Sequence, residues 1–174
     1  MSGAAWLHGL APIANRDARL LVLGSFPGVA SLESQQYYGH PRNHFWPILS
    51  ALWGEDLVAM PYRRRVAALK RHGLALWDVY AGCRREGSLD SAIEDAVPND
   101  LAGLVARLPA LRAIAHNGSE SARAMRITSA LGLPVHGLPS TSPANASWSF
   151  ERKLAAWRAV IEAAGLATGD SQPS

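Results

Sequence analysis

Apolar residues along the chain fall into two alternating kinds of segment. Short unbroken runs over 19–24, 74–79, 112–117 and 134–138 end in glycine or a polar residue, too short for helices, and read as buried strands. Between them, 43–53, 62–71, 100–108, 119–130 and 148–164 repeat their apolar positions at helical spacing, with Asn99, Ser119 and Ser147 placed to cap. Strands alternating with helices predict parallel pairing through right-handed crossovers. The expected architecture is a three-layer α/β/α sandwich with a small, mainly parallel central sheet. One domain is expected over 1–166, with a disordered tail at 167–174.

In sheets of this kind, ligands bind beyond the carboxyl ends of the strands. The polar, Gly- and Pro-rich segments 25–43, 78–91, 117–119 and 139–146 all follow strands, so they should converge on one cleft.

Composition narrows the chemistry. With 48% hydrophobic and 18% charged residues over 174 positions, the chain can bury a core. No stretch approaches the roughly 20 apolar residues of a membrane span, and the first residues lack a leader pattern. An intracellular protein is expected, cytoplasmic and of the bacterial nucleoid-associated type or otherwise, with no membrane contact. Cys83 is the single cysteine, which excludes an internal disulfide, a thiolate zinc cage and a four-cysteine cluster. The six histidines form no H-E-x-x-H pair, so no metal is expected. Net charge is +3, from fifteen arginines and two lysines against fourteen acids. That suits a polyanionic partner without identifying one.

The chemistry lies in the segment Gly24-Ser25-Phe26-Pro27-Gly28 and its continuation Tyr37-Tyr38-Gly39-His40-Pro41-Arg42-Asn43-His44-Phe45-Trp46. Two glycines around Phe26-Pro27 permit a sharp turn and close approach to a planar ligand. The triphosphate-loop and Rossmann spacings are absent. Alone, the turn is an ordinary strand-to-helix connection. Taken together, the segment resembles the first motif of the uracil-DNA glycosylase superfamily, and most closely its hypoxanthine-DNA glycosylase branch, often called family 6. Residues 73–79 with Cys83-Arg84-Arg85 and Gly87-Ser88-Leu89-Asp90 are similar to that branch's second block, 115–118 to its third and 138–146 to its fourth. The resemblance runs in order from about residue 19 to 160.

It implies a DNA glycosylase that flips a deaminated base from damaged DNA and hydrolyses its N-glycosidic bond. Hypoxanthine is the first substrate expected, with xanthine and uracil behind it. No cofactor and a monomeric state are expected. Two alternatives stay open: a uracil- or mismatch-directed enzyme of the same fold, and a silent lesion-binding protein. The second arises because Phe26 stands where uracil-excising branches hold a water-positioning Asp or Asn. The resemblance transfers that task to Asn43, although Asn43 is equally suited to cap the following helix. Cleavage through an oxocarbenium-like state needs water oriented more than deprotonated, which an amide oxygen can do.

The remaining roles follow the same two-sided reading. His40 suits a general acid or a phosphate contact. Gly24, Ser25, Phe26, Pro27 and Gly28 form the expected base-binding turn, and the resemblance places the stacking platform at Phe26. Tyr38 lines the pocket, gates it, or packs over the sheet edge. Asp78 either accepts the N1–H of hypoxanthine or anchors a loop, and Asn117 either reads a base edge or shapes a turn. Arg42 and the loop Ser140-Thr141-Ser142-Pro143-Ala144-Asn145 are the expected DNA contacts, the last three entering the gap left by the extruded base. Trp148 reads as structural. Lys70 and Lys153 read as surface residues, which leaves no lysine for Schiff-base strand cleavage.

Overall fold

The computed structural model describes residues 3–169. At its centre four strands pair in parallel: β2 (Leu20–Gly24), β3 (Leu74–Asp78), β6 (Ala113–Asn117) and β7 (Val135–Leu138), in the spatial order β3-β2-β6-β7. The strand β2 is buried throughout, as an unbroken apolar run in a parallel sheet should be. Its side chains alternate between two cores. Leu20 and Val22 face a cluster with Leu74, Leu76, Ala113 and Ala115, covered by helices α2 (Phe45–Trp53), α3 (Tyr62–Arg71) and α7 (Phe150–Ala163). Leu21 and Leu23 face the opposite cluster with Ala75 and Ile114, covered by α4 (Leu101–Ala106). The expected α/β/α sandwich is what the chain forms.

Three strands were not foreseen. β1 (Trp6–His8), β4 (Tyr80–Arg84) and β5 (Glu94–Pro98) make a separate antiparallel sheet, in the order β1-β4-β5. It continues straight from β3, because Val79 and Tyr80 donate to the carbonyls of Gly24 and Ser25. The segment expected as one helix over 119–130 is broken into α5 (Ser119–Ala122), α6 (Met125–Thr128) and a 3-10 turn. A short α1 (Val29–Ser34) follows the first turn. Of the tail expected over 167–174, Thr168 is buried and Gly169 N–H donates to the Leu52 carbonyl; 170–174 lie outside the described residues. Among the described residues no helix is long and apolar enough to cross a membrane.

Register then places the site. Gly24 pairs with Asp78 across β2 and β3, and Asn117 ends the neighbouring strand β6. All three share the parity of Leu20, Leu74 and Ala113, so their side-chain positions lie on the α2/α7 face at the carboxyl ends. After Asn117 the chain turns at Gly118, with φ +98°, and a Cβ there would sit 3.0 Å from Ser140 Cβ. Gly118→Ala is expected to cost about 1–3 kcal/mol, lowering the melting temperature by roughly 3–10 °C in a thermal scan.

Candidate active site

At those strand ends the chain forms an open-mouthed cavity of about 730 Å³, within the range of small-molecule sites. Around it stand His40, Asn43, Tyr38, Asp78, Asn117 and the turn from Gly24 to Gly28, with the loop from Ser140 to Asn145 opposite. Four separate sequence segments therefore meet in one place. Arg42 alone among the expected site residues is outside the lining; it is exposed beside it.

Asn43 precedes α2, and its Oδ1 accepts the N–H of Phe45 at 2.9 Å. This fixes the amide, yet leaves Oδ1 a second lone pair and Nδ2 its two protons. His40 Nδ1 accepts the backbone N–H of Arg42 at 3.0 Å. A neutral imidazole so held carries its proton on Nε2.

Tyr38 adopts a left-handed backbone, φ +54°, rare for an aromatic residue. Its ring stacks on Phe45, with centroids 4.2 Å apart and planes tilted by 27°. Asn117 Nδ2 donates to the Tyr38 hydroxyl at 3.1 Å and to Thr141 Oγ1 at 3.0 Å, while Asn117 Oδ1 accepts Thr141 N–H at 3.1 Å. Both amide protons of Asn117 are thus used within the protein, and the residue acts as a strut between Tyr38 and the last loop.

Phe26 lines the cavity and is 6% exposed, with the Arg85 guanidinium 5.3 Å from its ring centre. Arg85, itself buried, donates from Nε to Gly87 O at 2.8 Å and from Nη2 to Pro27 O. The turn is thereby tied to the segment before Asp90. Ser25 Oγ donates to Asp90 Oδ1 at 2.6 Å, and Val29 N–H donates to Ser88 Oγ at 2.9 Å. Arg85, Ser88 and Asp90 received no role from sequence. The compact Gly87-Ser88-Leu89-Asp90 run after a doubled arginine was their visible signal.

Asp78 is 4% exposed, and its Oδ2 has no hydrogen-bond partner among the described residues. Burial first, then the nearby Asp90 carboxylate, push its pKa up to about 7, against the opposing pull of Arg85. Burial likewise raises Asp90. A carboxyl poised near neutrality in a cavity is the kind of group that active sites keep.

Three further placements correct expectation. Thr141, assigned to the DNA surface, is 1% exposed and faces Asn117 instead. Ser140 and Ser142 Oγ accept the N–H groups of Ser142 and Ala144, which shapes the loop and leaves each hydroxyl proton to give. Lys153 is not a surface residue. It is 1% exposed, on the same face of α7 as Trp157 and Val160, with Nζ 3.2 Å from His44 Nδ1 and 3.5 Å from Ser142 O. Burial lowers its pKa. Trp148, read as structural, lines the cavity with Arg152 4.1 Å over its ring. His116 belongs to the core: Nδ1 meets Ser121 Oγ at 2.9 Å and Nε2 meets Thr128 Oγ1 at 2.8 Å. Among the described residues no three His, Cys, Asp or Glu side chains group as metal ligands.

Comparison with known proteins agrees with this layout. The sequence profile of the uracil DNA glycosylase superfamily matches residues 11–162. A Methanosarcina barkeri protein named hypoxanthine DNA glycosylase is 38% identical over 150 residues, covering 86% of this chain and 94% of that protein. Its namesake from Methanosarcina acetivorans is 38% identical over 154 residues, covering 88% and 97%. The solution NMR structure of a provisionally named uracil DNA glycosylase from Methanosarcina acetivorans superposes with a TM-score of 0.83 at 35% identity, over 92% of this chain and 99% of that one.

Proposed function

Because the chain belongs to the uracil DNA glycosylase superfamily, we propose that it is a monofunctional DNA glycosylase that draws a deaminated base, hypoxanthine first, into the cavity over Gly24 and hydrolyses its N-glycosidic bond. The observation carrying this reading is the convergence of Asn43, His40, Tyr38 and Asp78 on one cleft at the carboxyl ends of parallel strands. The names of the two Methanosarcina relatives support the base preference.

In this mechanism the flipped nucleoside enters with its base toward Tyr38 and Asp78, and its sugar toward Asn43. As the glycosidic bond stretches, the sugar becomes oxocarbenium-like and the base takes the electron pair. The free lone pair of Asn43 Oδ1 accepts one O–H of a water and aims its oxygen at the anomeric carbon. The Phe45 N–H bond holds the amide steady meanwhile. His40 Nε2–H faces the departing purine as a hydrogen-bond donor, and the proton lost by the attacking water as it bonds to the sugar neutralises the released base. The products are free base and an abasic site, with water as co-reactant. Arg42, Ser140, Ser142 and the tip Pro143-Ala144-Asn145 engage the duplex, the tip filling the vacated gap. Thr141 serves from beneath. Lys153, though buried, is not among the cavity-lining residues, so strand cleavage by a lysine imine is not part of the mechanism.

Incubation with an inosine-bearing duplex, followed by alkali and a gel, tests this directly. Release of hypoxanthine with an alkali-labile break is expected, weakening as salt rises because phosphate contacts release counterions. A break without alkali would indicate a lyase. Cleavage confined to uracil duplexes would retain the fold's chemistry and displace hypoxanthine as the substrate.

A further inference from the structure

We propose that Tyr38 and Asp78 form a donor–acceptor pair that recognises the lactam face created when a base is deaminated, and so determines which bases the cavity accepts. The inference rests on the glycosylase reading above and assigns its specificity to two named atoms.

The geometry begins at Gly24. A Cβ at this position would lie 2.5 Å from Asp78 Oδ1 and 3.0 Å from the Tyr38 hydroxyl. The two polar groups therefore converge over the strand end, in space that glycine leaves empty. Their hydrogen-bonding characters are opposite. The Tyr38 oxygen accepts from Asn117 Nδ2, so its own proton is left to give. Asp78 Oδ2 is an acceptor with no partner among the described residues, on a side chain 96% removed from solvent. A buried, unsatisfied acceptor beside an unspent donor is costly unless a ligand completes both.

Deamination supplies that complement. In adenine, position 6 carries an amino group and N1 bears a lone pair. In hypoxanthine, position 6 is an oxo group and N1 bears hydrogen. The donor and acceptor have exchanged places, and the conversion of cytosine to uracil makes the same exchange at positions 4 and 3. Tyr38 O–H facing the oxo oxygen, with the Asp78 carboxylate, whose Oδ1 lies over Gly24 beside that hydroxyl, facing N–H, satisfies a deaminated base twice. Against adenine, the carboxylate meets a lone pair and the phenol proton meets an amino group. A site built around such bonds rejects the mismatched ring far more strongly than a shape difference would. Guanine already carries the lactam, so its rejection falls to contacts at its 2-amino group.

Single-turnover base release is measured from duplexes carrying deoxyinosine, deoxyuridine, deoxyadenosine or 1-methyldeoxyinosine, in which a methyl replaces the critical hydrogen. The wild-type protein is expected to release 1-methylhypoxanthine at least roughly 10²-fold more slowly than hypoxanthine. Asp78→Asn offers an amide proton to adenine N1, so the inosine-to-adenosine ratio should fall by about 10-fold or more. Tyr38→Phe should slow inosine by about 10-fold without admitting adenosine. Equal rates on the methylated and unmethylated duplexes, which need no variant to fold, would overturn the proposal. So would an unchanged ratio in an Asp78→Asn protein that melts cooperatively and no lower than wild type. Failure of the wild-type protein to release any base would instead strike the glycosylase reading itself.

Discussion

Asn43→Ala is expected to slow hypoxanthine release roughly 10²–10⁴-fold in single turnover, while affinity for the inosine duplex stays within a few-fold. The contrast follows from what the side chain does. Asn43 stands at the cavity, but its hold on the fold is one hydrogen bond, Oδ1 to Phe45 N–H. Losing such a cap costs about 1 kcal/mol, so the variant should remain folded and melt a few degrees lower. Asn43→Ser separates the two duties. Its hydroxyl can still cap α2, but it lacks the amide's reach toward the sugar, so stability should return and rate should not. A serine variant that recovers activity would reduce Asn43 to a capping residue. An alanine variant at wild-type speed would leave the water without an orienting group.

The second large effect concerns stability. Asp78→Asn is expected to raise the melting temperature at pH 8 by roughly 5–15 °C, with the gain closing as pH falls toward 4. The sign comes from the direction of the shift. An unfolded Asp titrates near 4, whereas burial and Asp90 push Asp78 up to about 7 in the folded chain. The fold therefore favours the protonated carboxyl, and that advantage is complete below about 4 and lost as pH rises through 7. Above 7 the fold carries an ionised, poorly solvated Asp78 at a penalty on the order of 4 kcal/mol. The neutral amide does not carry it. A lower melting temperature for Asp78→Asn at pH 8 would mean that the carboxylate is satisfied after all. Retaining a destabilising charge in a cavity is intelligible if a substrate hydrogen bond requires it.

Much of this architecture was legible because it depends on local pattern. The apolar run ending at Gly24 is buried along its whole length, and α3 begins and ends where its periodicity does. The convergence of polar segments followed from the rule that strand ends gather ligands. What escaped was non-local. Tyr80–Arg84 and Glu94–Pro98 carry few apolar residues, and pair through a register interrupted by irregularities, with Asp95 at φ +54°. The packing of Arg85 against Phe26 was not visible because the two lie far apart along the chain. Asn117 seemed a turn residue because Tyr38 and Thr141, which saturate it, come from other segments. Lys153 is the opposite case. Its spacing from Trp157 and Val160 marked the buried face, and only its charge argued otherwise.

The last loop is held from below at several points: Thr141 O accepts His44 N–H, Asn117 grips Thr141, Asn145 Nδ2 donates to Ser140 O, and Lys153 reaches Ser142 O. A finger fixed in this way has already surrendered its conformational entropy before it meets a duplex. Docking should therefore proceed as a rigid-body encounter. Its heat-capacity change should track the contact area alone, with no added contribution from a segment that folds on arrival.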